Sequence, residues 1–188
     1  MNQPRRKSIR LKGDDYSQAG FYFITICTQN QLCLFGEIQL NGEMKPNSAG
    51  CMIEKWWLEL SRKFPTVTLH ERIVMPNHFH GILQIDHTSE VNDRAKEFTP
   101  VKITDQIEQL HISPTSLASI IGWFKSMTMN EYIRQVKSQG WPPFHQRLWQ
   151  RNYYEHIIQD EDAWQEISDY IRTNPQRWID DKYYRYEK

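Results

Sequence analysis

The chain has 188 residues, its 23 Lys and Arg are balanced by 23 Asp and Glu, and 13% of it is aromatic. That length suits a single domain with a real core. The zero net charge gives no overall bias toward a polyanion, and no run approaches the roughly eighteen apolar residues that would cross a membrane. Cys27, Cys33 and Cys51 are odd in number and lack metal-type spacing, which points to a reducing, cytoplasmic setting. The basic N-terminus has no apolar run behind it, so it does not read as a signal peptide.

In chain order, residues 1–20 read as a polar, basic arm. Phe21 to Thr28 is aromatic and β-branched almost throughout, the pattern of a buried central strand. Cys33 to Ile38 is expected to return as its hairpin partner, with Asn41-Gly42 as a further turn signal. Pro46 and Asn47-Ser48 open a helix to about Lys63, whose apolar positions Met52, Ile53, Trp56, Trp57 and Leu60 follow helical spacing. Val67–Met75 and His78–Ile85 form two more strands joined by Pro76-Asn77, close enough to be antiparallel neighbours. Residues 86–113 show little apolar periodicity and read as a long flexible connection. A second helix runs from Leu117 to about Val136 and is broken at Gly140. A fifth strand is expected near Leu148–Tyr154, leading into Glu155–Ile158. Asp160 or Asp162 caps a last helix that Pro175 stops after Asn174. The order predicts the α+β class: one domain over 1–188 with a mainly antiparallel sheet, ferredoxin-like or RRM-like, and helices packed on one face.

The neutral total hides two basic segments. Arg5, Arg6, Lys7, Arg10 and Lys12 stand without an acid in residues 1–13, and His111 to Arg151 holds Lys125, Arg134, Lys137, Arg147 and Arg151 against Glu131 alone. One basic face toward a polyanion would have this pattern, as would ordinary solvated surface.

Two positions stand out for chemistry. Residues two apart on a strand share a face, so His78 and His80 stand side by side while Phe79 points to the core. Such a pair can supply two ligands to a divalent metal, although chance alone gives about a quarter of one His-x-His here and the pair by itself decides little. On the last helix, Ala163, Ile167, Tyr170 and Asn174 form one stripe facing the sheet. A tyrosine on such a stripe is usually core. Beside a histidine pair and basic segments, it also completes a set of metal site, nucleophile and anion-binding face.

The run Val74 to Leu83, Val-Met-Pro-Asn-His-Phe-His-Gly-Ile-Leu, resembles the histidine–hydrophobe–histidine motif of single-strand DNA transposases and relaxases. Trp149 to Ile158 and Tyr170 to Pro175 resemble the C-terminal signature of the REP-associated tyrosine transposases, relatives of the insertion-sequence 200/605 group. Arg10 to Tyr16, Phe23 to Thr28 and Ser116 to Ser126 fit as well, so the resemblance spans nearly the whole chain except 86–113. It implies that His78 and His80 ligate Mg²⁺ or Mn²⁺. It implies that Tyr170 attacks a DNA phosphodiester to leave a 5′-phosphotyrosine and a free 3′-hydroxyl. Asn174 would be a third metal ligand, where the insertion-sequence relatives tend to carry Gln. The partner would be single-stranded or hairpin DNA, met by a monomer or a homodimer. Two imidazoles alone would favour Zn²⁺; the harder metal comes from the resemblance.

From residue type, Arg5, Arg6, Lys7, Arg10, Lys12, Lys125 and Arg151 suit DNA phosphates, and Trp149 or Tyr153 suits stacking on unpaired bases. Tyr153 and Tyr154 are rival nucleophiles, although neighbours on a strand face opposite ways. Two other readings stay open: a binding module without cleavage, and a metal-dependent hydrolase using His78 and His80 with an acid such as Asp86.

Overall fold

The computed structural model describes residues 19–86 and 116–184. The arm cations Arg5, Arg6, Lys7, Arg10 and Lys12, and nearly all of the long connection, lie outside the described residues.

Strand β1, Gly20–Cys27, is the centre of a four-stranded sheet. β4 (Val67–Met75) and β5 (His78–Ile85) form a hairpin across Pro76-Asn77, and β6 is Tyr154–Ile158. The order is β4-β5-β1-β6, and every neighbouring pair is antiparallel. With helix α1 (Ser48–Lys63) between β1 and β4, and α2 (Leu117–Gln139) between β5 and β6, this is the ferredoxin-like arrangement in an α+β chain.

Apolar residues on both faces of β1 find cover on both. Tyr22, Ile24 and Ile26 join Phe79 and Leu83 of β5 beneath α1 and α2, which contribute Met52, Ile53, Trp57, Ile120, Ile121 and Phe124. Phe23, with Ile82 and Ile158, points the other way, onto α3 (Glu161–Thr173). Helices on one face therefore describes α1 and α2, while α3 covers the opposite face, the one that carries His78 and His80. Asp160 caps α3 by accepting from the Ala163 N–H. Past Thr173 the chain tightens into a 3-10 turn over Asn174–Asp180. Pro175 is compatible with that, because a proline in a first turn lacks only an N–H that would go unpaired there.

Two expectations about strands are corrected. Cys33 to Ile38 does not pair with β1, whose two edges are already held by β5 and β6. Instead the chain leaves β1 through Asn30 and Gln31, both at positive φ, and β2 (Gly36–Ile38) pairs with β3 (Met44–Pro46) as a separate ribbon. The last strand begins at Tyr154 rather than Leu148. Leu148 and Trp149 are buried in the α1–α2 core. There Trp149 donates its indole N–H to Thr128 Oγ1 at 2.8 Å and bridges to Thr28. Trp149 is thus largely buried rather than presented as an exposed stacking platform.

Candidate functional site

β5 delivers His78 and His80 to the α3 face, both essentially without solvent exposure. Their Nε2 atoms are 3.0 Å apart. The other ring nitrogens are held from behind. His78 Nδ1 lies 2.8 Å from Asn77 Oδ1. Because the Asn77 amide donates to the carbonyls of Gln31 and Tyr183, its oxygen is the atom facing the imidazole. His78 Nδ1 must therefore carry the hydrogen, leaving a lone pair on Nε2. His80 Nδ1 lies 2.8 Å from Thr25 Oγ1, directly across the β1–β5 ladder. A hydroxyl can accept as well as donate, so His80 can take the same tautomer. Two imidazoles fixed from Nδ1 with Nε2 converging is how proteins orient metal-binding histidines.

Burial pushes His78 down to about 4, against the opposing pull of the Asp181 carboxylate and the Asn174 amide. His80 lies well below the usual histidine value through burial, with the neighbouring His78 and Lys182 adding to it. Both are therefore neutral near pH 7, the form that donates to a metal.

α3 supplies Tyr170, whose hydroxyl is 3.4 Å from His80 Nε2. Phe23 stacks on His80 and meets Tyr170 edge-on, fixing both rings. Asn174, at the start of the 3-10 turn, is buried and donates its amide to Asp181 Oδ2 at 2.8 Å. Its own Oδ1 is buried with no hydrogen-bond partner among the described residues, a state that costs stability unless a donor or a cation meets it. The same Asp181 oxygen accepts from Tyr170 at 3.5 Å, and Oδ1 accepts from the Tyr183 N–H. Burial first, then the Asp181 charge, raises Tyr170 to about 12.

Asp181 was not expected from the sequence. Among the described residues, one atom from each of His78, His80 and Asp181 lies within 4.8 Å of the others, a group that could hold a metal ion. The orphaned Asn174 oxygen beside it adds an uncharged donor, and the set of two nitrogens and two oxygens fits a divalent cation. Only the position of Asp181, in an aromatic tail seven residues past Asn174, could have hinted at it. Tyr183 was missed too; its ring lies over His78 at 4.8 Å between centroids.

The rival residues differ in how near they come to this group: Tyr154 lies on the same sheet face, 6.2 Å from the Phe23 ring that stacks on His80, whereas the others are farther off. Tyr153 packs toward the α1–α2 core. Tyr154 pairs with Thr25 on the far side of β1 and is 41% exposed. Asp86 follows the opposite end of β5, six residues and about 20 Å from His80, and accepts there from Gln84. Lys125 and Arg151 meet each other at the end of β1, on the helix side.

No protein-family model matches the chain. An uncharacterized protein of Haemophilus influenzae is 39% identical over 179 residues, covering 95% of this chain and 93% of its own. Among solved structures, a REP-associated tyrosine transposase bound to a REP hairpin is similar over 93% of this chain and 73% of its own, at a TM-score of 0.50 and 18% identity. A candidate transposase of Deinococcus radiodurans, at a TM-score of 0.43 and 13% identity, is too distant to carry a shared fold. No described helix is long and apolar enough to cross a membrane. The chain belongs to one family with the Haemophilus influenzae protein, and its fold is the one seen in the REP-associated tyrosine transposase that its motifs resemble.

Proposed function

We propose that this protein cleaves and rejoins single-stranded DNA, with Tyr170 as nucleophile and a divalent metal, Mg²⁺ or Mn²⁺, held by His78, His80 and an oxygen of Asp181 or Asn174. The observation that carries it is the Tyr170 hydroxyl, 3.4 Å from His80 Nε2 and 3.5 Å from Asp181 Oδ2, at the edge of a group able to take a cation. The fold shared with a transposase solved on a hairpin supports hairpin-flanked DNA as the substrate.

The phenol oxygen of Tyr170 attacks the phosphorus. The bond from phosphorus to the 3′-oxygen breaks, leaving a 5′-phosphotyrosine and a free 3′-hydroxyl. Asp181 Oδ2 takes the phenolic proton, and that proton can pass on to the leaving 3′-oxygen. Because the bond energy is kept in the phosphotyrosine, a second 3′-hydroxyl can reverse the step without ATP. A phenol raised to about 12 is a weak nucleophile near pH 7. A cation at the histidine pair would polarise the phosphate and offset the charge that develops on its oxygens.

Incubating the protein with an end-labelled, hairpin-flanked oligonucleotide and Mn²⁺ tests the reading. A denaturation-resistant adduct is expected, lost in Tyr170→Phe while DNA binding persists. An adduct that survives Tyr170→Phe would refute it.

A further inference from the structure

Away from the histidine pair, a cleft of about 420 Å³ opens between α2 and the segment before β6, lined by Lys125, Ser126, Gln146, Arg147, Gln150 and Arg151 among others. No acidic side chain lines it, and none of its three cations forms an ion pair with a carboxylate among the described residues. We propose that this cleft is a phosphodiester-binding site for the strand that enters the Tyr170 site; the inference rests on the function proposed above.

Lys125 is the built part. Its ammonium donates to the backbone carbonyls of Gln150 at 2.6 Å and Arg151 at 3.0 Å and stands 6.0 Å from the Tyr153 ring centre, so two backbone bonds anchor a cation that lines the cleft. Burial and the nearby Arg147 guanidinium lower Lys125 to about 8. An anion in the cleft would relieve that repulsion. Arg147 is aimed by an unusual backbone: its N–H bonds to the His145 carbonyl at 2.7 Å across Gln146, whose φ is +63°. Such a three-residue turn is rare for a residue with a side chain, and strain of this kind tends to sit at functional sites. Arg147 and Arg151 are both exposed, so their guanidinium groups remain open to a phosphate.

Position links the cleft to the site. Gln150 N–H donates to the Cys27 carbonyl, and Cys27 is the ladder partner of His78. Lys125 thus holds down a segment that hangs from the same end of β1 as the histidine pair. A strand crossing that end would meet both, and the phosphodiester backbone is its feature that does not depend on sequence.

The test is fluorescence anisotropy with a labelled single-stranded oligonucleotide over a salt series, using Arg147→Gln/Arg151→Gln, two exposed changes that leave the Lys125 bonds in place. Each single-strand phosphate contact contributes a slope of about 0.7 in log affinity against log salt. The double variant is expected to lose about 1.4 of slope and to bind at least tenfold more weakly. Tyr170→Phe should keep the wild-type slope. An unchanged slope in the double variant overturns the cleft, as does failure of the wild-type protein to bind. The adduct assay separates the two claims. An adduct with an unchanged slope discards the cleft alone, whereas a lost slope without any adduct discards the tyrosine chemistry alone.

Discussion

Asn77 and Thr25 do for the histidine pair what no metal could do by itself: they decide which nitrogen is free. Each holds a ring through Nδ1 at 2.8 Å, so both Nε2 atoms converge. Thr25→Val keeps the β-branched shape on β1 and removes only the hydroxyl. Mn²⁺ affinity, followed by calorimetric titration, is expected to fall about 10- to 100-fold; an unchanged affinity would mean that the Thr25 contact does not orient His80. Asp181 has a different task, because its Oδ2 faces both Tyr170 and Asn174. Asp181→Asn keeps the size and loses the base. Cleavage should slow by about 10²- to 10⁴-fold with oligonucleotide affinity retained, and a wild-type rate would remove Asp181 from the proton path. The pair and the tyrosine were legible because strand alternation and helix spacing are local rules. Asp181 and Tyr183 reach the site through a 3-10 turn and a tail, and no periodicity in the sequence marks where such a tail docks.

At the scale of elements, β5 has two jobs that its alternation divides between faces. Phe79 and Leu83 face the α1–α2 core, while His78 and His80 face α3. Between them, Gly81 lets α1 come close: a Cβ there would sit 2.6 Å from Trp57 Cζ2 and 2.9 Å from Phe79 Cε1. The indole is itself fully buried, so it has little room to yield. Gly81→Ala is expected to destabilise the fold by about 1–3 kcal/mol in urea melts, and a neutral effect would mean that α1 can shift freely on the sheet. Among the described residues, β1, β4, β5 and the three helices were recoverable from apolar pattern, with β4 and β5 matched to the residue, while β6 was expected to begin six residues too early. The partner of β1 was not. A hairpin between neighbouring strands is the usual expectation, and only the full topology reveals that β5 and β6 already occupy both edges of β1. Leu148 and Trp149 misled for a related reason, since buried apolar residues in an irregular segment look like a strand to any local rule.

For the whole molecule, burying a neutral histidine pair ties stability to pH. In the fold His78 lies near 4 and His80 also lies well below 6.5, whereas the unfolded chain takes up protons at about 6.5. The unfolded state therefore binds more protons as pH drops, and the contribution present above pH 6.5 is lost between 6.5 and about 4. Thermal melts across that window should steepen in the wild-type protein relative to a His78→Gln/His80→Gln variant. Equal pH dependence in the two would contradict neutral burial. A divalent cation that binds only the folded pair raises the melting temperature of the wild-type protein, and that rise should vanish in the same double variant.

Tyr170, among the several tyrosines near this sheet, is the one proposed to form the covalent bond to DNA. Trimming the Mn²⁺-dependent adduct with nuclease and proteases, then sequencing the modified peptide by mass spectrometry, reads this directly. A nucleotide 5′-phosphate on Tyr170 is expected. A nucleotide on Tyr153, Tyr154 or Tyr183 instead would contradict it.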